Sequence, residues 1–569
     1  MKKINKIYAI LFLAMGLASC SDFLDENKEN GRYDDEIVWA NPKLAEGVLL
    51  KAYNMLPNDY TEKYDYGTDD MATNLVTDNT VTMATGGWTS RNTPFGNEYK
   101  NAFQAILHVN DFLENMEKVD FAPLSDEAVK QQYQDRLRGE AYALRAWWQA
   151  KLLTIYGGED NKGNLWGFPI VTSTIQEVAA ARLPRDSYAD CVKQILDDCD
   201  EALKTLPYKW EGSDRVMGST NINRMNGLSV MALKSRVLLT AASPAFAKSG
   251  YTMQQAAEAA AAVMNANGKL DNLADTRGLT FYNLGTKDAD KEYLNTCHEV
   301  LWYSSIGNSS NREDRMFPPS LLGKGEINPS QNLVNCFPDK NGYPITHSST
   351  VYKSDEPYAN RDPRLDLYIY HNGSQVGGAN NVTLNMETGD DKIGAKTTST
   401  RTGYYMRKLL DEAVSLKVGS VITTPHYHVR MRYTEVLLNF AEAANAAVGP
   451  TGEVGGFTAR QVINALRKRA GITNEAYVNS LDQTGLAELI KNERRIELCF
   501  EGFRFWDLRR WMDLARMNES VKGYDASTMR EIPSVEVRKY EDYMIYAPIP
   551  YTETQKYDLI QNQGWEEMC

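Results

Sequence analysis

Residues 77–95 form a glycine-rich stretch that carries one tryptophan among short polar and charged side chains. Trp88 follows Gly86-Gly87 where no helical pattern is evident, so its indole has no obvious helix face to pack against. A flat aromatic ring packs on the C–H face of a sugar, while amide, carboxylate and guanidinium groups bond its hydroxyls. We predict that Trp88 is a ligand platform, the alternative being that it anchors its own loop. The predicted polar partners are Asp78, Asn79, Arg91 and Asn92.

A second stretch, residues 302–317, combines aromatic and charged residues in a polar loop. Binding residues commonly lie on loops that a rigid scaffold holds in place. We therefore expect Tyr303, Arg315 and Phe317 to add further ligand contacts.

The sequence lacks the motifs of common hydrolases and nucleotide-binding enzymes. It contains no GxSxG elbow, P-loop, HExxH or EF-hand loop. His426 and His428 form an HxH pair, but no further metal ligand can be named, so we predict a surface strand with two outward-facing polar residues. We predict no enzyme, no metal site and no cofactor. A glycoside hydrolase that uses two carboxylates remains the alternative, because acidic residues are abundant.

Helical periodicity dominates the segments that must position these loops. In residues 135–156, apolar residues recur three and four positions apart, and Gly157-Gly158 follows the last of them. Paired helices with small residues at points of close approach are typical of tetratricopeptide-like repeats. We predict a mostly α fold, built as a tetratricopeptide-like scaffold of helical pairs. The other predicted helices cover residues 99–119, 187–203, 227–242, 433–448 and 458–470.

The middle of the chain has a different composition. Residues 270–425 are rich in Gly, Asn, Ser, Thr and Tyr and contain only short β-like runs, such as 351–352 and 366–370. We predict a large, irregular, loop-rich insertion with short strands, packed on the helical scaffold.

The N-terminus predicts export and lipid attachment. Residues 1–19 have a basic start and a short apolar run, as in a signal peptide. The run ends in Leu17-Ala18-Ser19-Cys20, which resembles a bacterial lipobox, so we expect Cys20 to be lipidated. Residues 20–35 would then form an acidic tether between the lipid and the folded body.

Composition excludes several classes of protein. The 569 residues include 62 Lys and Arg against 75 Asp and Glu, a net charge of −13, which argues against broad nucleic-acid binding. With 43% hydrophobic and 24% charged residues, the chain is neither a polytopic membrane protein nor a disordered one. The six cysteines other than Cys20 show no CxxC spacing, and we expect most to be buried thiols.

Residues 493–511, ERRIELCFEGFRFWDLRRW, carry a longer signature in which acidic, basic and aromatic side chains alternate. This stretch resembles the C-terminal signature of SusD/RagB-like outer-membrane lipoproteins. Gln563 departs from the family, which usually has Pro there. We expect Arg494, Arg504, Glu497 and Glu501 to be structural, since a buried arginine needs a carboxylate. Further matching motifs are Arg138-Gly139-Glu140-Ala141, Tyr156-Gly157-Gly158, Arg361-Asp362-Pro363-Arg364, Pro548-Ile549-Pro550 and Gln561-Asn562-Gln563-Gly564-Trp565.

The resemblance implies a function without catalysis. Members of this family lie on the cell surface, bind glycans or sometimes peptides, and cap a SusC-like TonB-dependent barrel that imports the ligand. Family ligand contacts come from loops after the N-terminal helix and from the central insertion. The expected partners are thus an oligosaccharide or a peptide, the barrel, and outer-membrane lipid through the acyl anchor.

The resemblance covers essentially the whole mature chain, so we expect a single SusD-like body at residues 36–569. Its expected parts are an N-terminal helical part, 36–269, the insertion, 270–425, and a C-terminal helical part, 426–569. A lipid-anchored glycoside hydrolase, a peptide-binding relative and a scaffold that binds only proteins remain alternatives.

Overall fold

The structure is a computed structural model that describes residues 35–59, 62–174, 183–273 and 298–565. The predicted signal peptide, Cys20 and the tether up to residue 34 lie outside the described residues. None of the described helices has the length and apolar character needed to cross a membrane.

Helices form most of the regular structure, which confirms the predicted mostly α fold. Their bounds are α1 Asp35–Ala40, α2 Pro42–Asn54, α3 Asn79–Thr82, α4 Gly96–Asn115, α5 Glu127–Tyr156, α6 Tyr188–Leu203, α7 Gly227–Ala241, α8 Met253–Ala266, α9 Asn311–Met316, α10 Gln331–Cys336, α11 Arg364–Tyr368, α12 Tyr433–Val448, α13 Ala459–Arg469, α14 Ala476–Ser480, α15 Gln483–Glu497, α16 Arg504–Arg510, α17 Leu514–Met517 and α18 Tyr551–Thr554. The longer helices agree closely with the predicted ones.

Helix ends follow local hydrogen-bonding rules. At the start of α6, the Ser187 hydroxyl accepts a bond from the Asp190 amide at 3.1 Å. At the start of α13, Thr458 and Gln461 each bond the other's backbone amide, which forms a capping box. These signals are local, and the sequence therefore predicted both starts.

Successive helices pack side by side into one array. Each helix from α4 to α7 contacts the next one along the chain, α8 packs on α12, and α12 also contacts α13 and α15. The predicted helical pairs are therefore present. The helices that follow the insertion in sequence pack against those that precede it.

The strands are short, and they pair antiparallel in twos. Their bounds are β1 Met71–Thr73, β2 Gly158–Glu159, β3 Leu165–Trp166, β4 Val300–Tyr303, β5 Gly307–Ser309, β6 Ile327–Pro329, β7 Ile369–Tyr370, β8 Gln375–Val376, β9 Val382–Thr383, β10 Tyr405–Met406, β11 Thr424–His426, β12 Val429–Arg432, β13 Glu453–Val454, β14 Phe457–Thr458, β15 Val521–Asp525 and β16 Arg530–Glu536. The predicted β-like run at 351–352 is not a strand. The run at 366–370 begins in helix α11 and is a strand only at β7.

Two hydrophobic cores hold the molecule together. The larger one is built mainly from the helices, and the smaller one mainly from insertion residues such as Tyr368 and Tyr405. The smaller core also takes in Met71, from near the N-terminus, and Phe500, from after α15. The insertion therefore shares its core with both flanking parts of the chain.

Buried ion pairs join segments far apart in sequence. The Asp69 carboxylate accepts bonds from Arg495 at 2.8 Å and from Arg504 at 3.0 Å. Burial would raise the pKa of Asp69, but the charges of the two arginines outweigh it and lower the pKa to about 2. Arg494 and Glu501 are also buried and paired, so the predicted structural role of the signature residues is confirmed.

Candidate ligand-binding cleft

Trp88 lies in the core, and the prediction that it is an exposed platform is wrong. Its side chain is 1% exposed and contacts the rings of Phe95, Tyr540 and Trp565, with the Trp565 centroid 5.0 Å away. The indole Nε1 donates to Thr93 Oγ1 at 3.3 Å. The alternative, a tryptophan that anchors its loop, is the one that the structure shows. The partner rings come mostly from the C-terminal region, which no local sequence pattern reveals.

Tyr303 and Phe317 are also buried, contrary to their predicted role as exposed ligand contacts. Tyr303 ends strand β4 and is 2% exposed, and Phe317 follows α9 and is 0% exposed. Both belong to the smaller core. The loop is polar in composition, but its aromatic residues are those that hold it onto the scaffold.

Asp78 and Asn79 lie at the start of α3, and Arg315 lies in α9. Asp78 caps α3 by accepting the Thr80 amide at 2.7 Å, and Asn79 is exposed. Arg315 Nε donates to Glu326 at 2.8 Å, and the Asn74 side chain donates to the neighbouring carbonyl of Gly325. We call the surface around Arg315 the Arg315 patch; its members are Asp59, Asn74 and Arg315.

Arg91 and Asn92 are exposed on a loop beside the C-terminal segment. The Arg91 guanidinium lies 4.0 Å above the ring of Tyr551. The Asn92 amide donates to the Gly87 carbonyl at 3.3 Å, which closes the turn around Trp88.

A cleft of about 220 Å³ was missed by the sequence predictions. It lies between helices α5 and α7, strand β12 and the segment that leads into α16. Its half-buried aromatic side chains are Trp147, Phe503 and Trp506. Its half-buried polar side chains are Lys151, Thr154, Arg236, Thr240 and Arg430. We call it the Trp147 cleft.

Helical spacing places several of these side chains in line. Trp147, Lys151 and Thr154 recur at intervals of four and three residues, so they share one face of α5. The same spacing relates Arg236 to Thr240 on α7. The sequence therefore did contain a sign of the cleft, a polar stripe on α5 beside the buried Trp148. Such a stripe does not show which other element of the fold faces it.

Cations and aromatic rings alternate across the Trp147 cleft. The Arg236 guanidinium lies 5.5 Å from the Trp147 ring and 5.6 Å from the Phe503 ring, and it pairs bidentately with Glu435 at 2.6 Å. Lys151 pairs with Glu98 at 2.6 Å. Such pairing fixes the long side chains in place. The result is a rigid arrangement of aromatic faces and hydrogen-bond donors.

The two histidines of the HxH pair are buried, so the predicted surface strand is wrong. His426 Nε2 contacts Glu313 at 3.0 Å, and this carboxylate raises the pKa of His426 against the opposing effect of burial. His428 lines the Trp147 cleft, and burial lowers its pKa to about 4. Within the described ranges, no group of three or more His, Cys, Asp or Glu side chains is placed to hold a metal ion.

Three consecutive residues connect the cleft to the Arg315 patch. Pro57 lines the cleft, and its carbonyl accepts bonds from Arg430. Asn58 also accepts from Arg430, at 3.3 Å. Asp59 pairs with Arg312 at 2.6 Å and lies 3.9 Å from Arg315. An extended ligand that leaves the cleft along residues 57–59 would reach the patch.

Two family models match complementary parts of the chain. One, described as the SusD family, matches residues 291–565. The other, described as starch-binding and associating with the outer membrane, matches residues 22–239. Together they account for most of the sequence.

Whole-chain comparisons agree with the family models. SusD-like protein P38 of Formosa agariphila is 22% identical, over 90% of this chain and 91% of its own length. A SusD-like protein of Bacteroides fragilis has a TM-score of 0.75 at 22% identity, covering 94% of this chain and 98% of that one. A SusD-like carbohydrate-binding protein of the same species has a TM-score of 0.71 at 20% identity, covering 92% and 99%. By fold and by sequence, this chain belongs to the SusD/RagB-like family.

Proposed function

We propose that this protein is a surface lipoprotein that binds an oligosaccharide in the Trp147 cleft without cleaving it. The observation that carries the proposal is the set of aromatic rings, Trp147, Phe503 and Trp506, interleaved with side chains that donate hydrogen bonds. Aromatic faces bind the C–H surface of sugar rings, and the donors bond the hydroxyls. A longer ligand would continue past Pro57 to the Arg315 patch, where the half-buried side chains of Asp59 and Arg315 lie.

The family comparison supports this proposal and extends it. A structural neighbour is itself described as carbohydrate-binding, and one family model is described as associating with the outer membrane. We infer that the acyl chains on Cys20 hold the protein at the outer membrane, and that it delivers its ligand to a SusC-like TonB-dependent barrel.

The acidic groups of the cleft favour binding over hydrolysis. A glycosidase needs a carboxylic acid whose pKa is raised, together with a second free carboxylate. Only Glu501 and Asp507 are acidic among the described residues that line the cleft, and both are paired with arginines. Burial would raise the pKa of Glu501, but Arg432 and Lys408 outweigh it and lower the pKa.

The substitution Trp147→Ala tests the site. With the full-length protein in detergent, we expect calorimetry against an oligosaccharide panel to show binding that the variant weakens by about 10- to 100-fold, the scale of a lost aromatic hot spot. Tyr208→Ala is the matched control, because Tyr208 is 58% exposed and does not line the cleft.

Three outcomes would contradict the proposal. Equal affinity of Trp147→Ala and the unchanged protein would place the ligand elsewhere. Shortened oligosaccharides on chromatography would identify a hydrolase instead. Binding of peptides but of no sugar, in a parallel titration, would favour the peptide-binding alternative.

A further inference from the structure

The Trp147 cleft is lined by more cations than anions, although the chain as a whole carries a net charge of −13. The cations are Lys151, Arg236, Arg430, Arg494, Arg509 and Arg510, and the anions are Glu501 and Asp507. This excess is a local property of the cleft, because the overall composition favours the opposite sign.

Four of the cations are neutralised by carboxylates of the protein. The pairs are Lys151–Glu98, Arg236–Glu435, Arg494–Asp507 and Arg510–Glu442. Arg430 and Arg509 differ from these four. Neither has a carboxylate within 4 Å in the part of the chain that the structure describes.

Arg430 lines the cleft and is half-buried. Its Nε and one terminal nitrogen donate to the Pro57 carbonyl at 3.3 and 3.2 Å, and the same terminal nitrogen donates to Asn58. Its guanidinium lies 4.8 Å from the Trp302 ring. All these partners are neutral, so they orient the cation without cancelling its charge. Burial lowers the pKa of Arg430 to about 10, which leaves the group charged at neutral pH.

Arg509 lies deeper and is 3% exposed. Its Nε donates to the Ile545 carbonyl at 2.6 Å, while one terminal nitrogen has no hydrogen-bond partner among the described residues. The indole Nε1 of Trp147 is buried and likewise lacks an acceptor. A buried donor without an acceptor costs free energy. Both donors belong to side chains that line the same cleft.

We propose that the Trp147 cleft selects oligosaccharides that carry an acidic group, a carboxylate or a sulfate, and that Arg430 is the residue that pairs with it. This inference rests on the proposed sugar-binding function. The second terminal nitrogen of Arg430 donates to none of the described residues, so it can donate to either kind of anion, and such a bond is strong because both partners are charged. Arg509 adds positive potential from its buried position in the lining of the cleft, where low solvent access weakens screening.

The test compares acidic and neutral ligands of the same length. Full-length protein in detergent is titrated with tetragalacturonate and with its fully methyl-esterified form, and separately with sulfated and unsulfated galactan oligosaccharides. We expect an acidic ligand to bind at least 10-fold more tightly than its neutral counterpart, and the difference to shrink at high salt. Whichever pair shows the preference identifies the acidic group as carboxylate or sulfate.

The variant Arg430→Gln should abolish this preference, and Arg430→Lys should retain part of it. Arg215→Gln is the matched control, because Arg215 is exposed and does not line the cleft. Equal affinity for acidic and neutral oligosaccharides would overturn the inference and leave the proposed function intact. A preference that survives in Arg430→Gln would overturn the assignment of Arg430. Failure of every oligosaccharide to bind would overturn the proposed function together with the inference.

Discussion

Trp88 fills the space between rings contributed by two ends of the chain. We expect Trp88→Ala to lower the free energy of unfolding by about 3–5 kcal/mol, the usual cost of removing a buried tryptophan, because Phe95, Tyr540 and Trp565 would be left around a cavity. Urea denaturation followed by circular dichroism measures this difference.

Trp88→Phe is the conservative control and should recover part of the loss. Sugar affinity of folded Trp88→Ala should equal that of the unchanged protein. If Trp88→Ala kept full stability but lost sugar affinity, Trp88 would be a ligand platform, as the sequence suggested and its burial contradicts.

At the scale of single residues, the sequence predicted chemistry more reliably than exposure. The signature arginines Arg494 and Arg504 pair with carboxylates, as expected. Trp88, Tyr303 and Phe317 are nevertheless buried, and Trp147, which was not predicted, lines the cleft. Exposure depends on which distant segment covers a ring. A local window contains no information about that segment.

Glu497 shows how one carboxylate joins several elements. It ends helix α15, accepts a bond from Arg364 of α11 at 2.9 Å and from Arg469 of α13 at 3.2 Å, and lies 3.8 Å from Arg432 of β12. Helix, insertion and strand are therefore fixed relative to one another by a single buried group.

Stability should depend on pH through this group. Burial would raise the pKa of Glu497, but the charges of Arg469, Arg364 and Arg432 outweigh it and lower the pKa from 4.5 to about 2. The contribution is therefore complete above about pH 4.5 and is lost as the pH falls towards 2, an effect on the order of 3 kcal/mol. We expect Glu497→Gln to be less stable at pH 7 and to lose less stability on acidification, as measured by urea denaturation across this pH range.

Glu488→Gln on the same helix is the control, because Glu488 is exposed. It should be close to the unchanged protein in stability and in pH dependence. Parallel pH profiles for Glu497→Gln and the unchanged protein would show that the titrating carboxylates lie elsewhere.

At the scale of elements, the sequence predicted helices well and the insertion poorly. The bounds of α6, α12 and α13 follow from apolar periodicity and capping residues, which are local. The strands of the insertion are two to four residues long, and apart from β8 and β9 they pair with partners distant in sequence, such as β6 with β1. Strands this short do not show the alternation of apolar and polar residues from which a strand is predicted.

For the whole molecule, the proposed location depends on Cys20. We expect Cys20→Ala to move the protein from the outer-membrane fraction to the soluble fraction and to abolish labelling by radioactive palmitate, because acyl chains supply the membrane attachment. Cell fractionation with immunoblotting measures the change.

Cys569→Ala is the matched control and should leave both location and labelling unchanged. Recovery of Cys20→Ala in the outer-membrane fraction would contradict lipid anchoring and would point to attachment through a protein partner.

The cleft itself could be predicted only at the scale of the whole molecule. Helices α5 and α7, strand β12 and the start of α16 each contribute side chains, and they span the chain from residue 147 to residue 510. Each row of side chains, taken separately, is equally consistent with a face packed in the core and with a face that lines a cleft. The fold brings the rows together, and only that arrangement shows which side chains face the cleft.

The bonds of Asp69 to Arg495 and Arg504 have a consequence for synthesis. A chain made from its N-terminus presents Asp69 long before either arginine has been translated. Until they arrive the carboxylate has to stay in water, because burial of an unpaired charge is strongly unfavourable. The segment that carries Asp69 therefore reaches its native buried position only when both arginines are present, and we expect a chain truncated before residue 495 to be more sensitive to proteases.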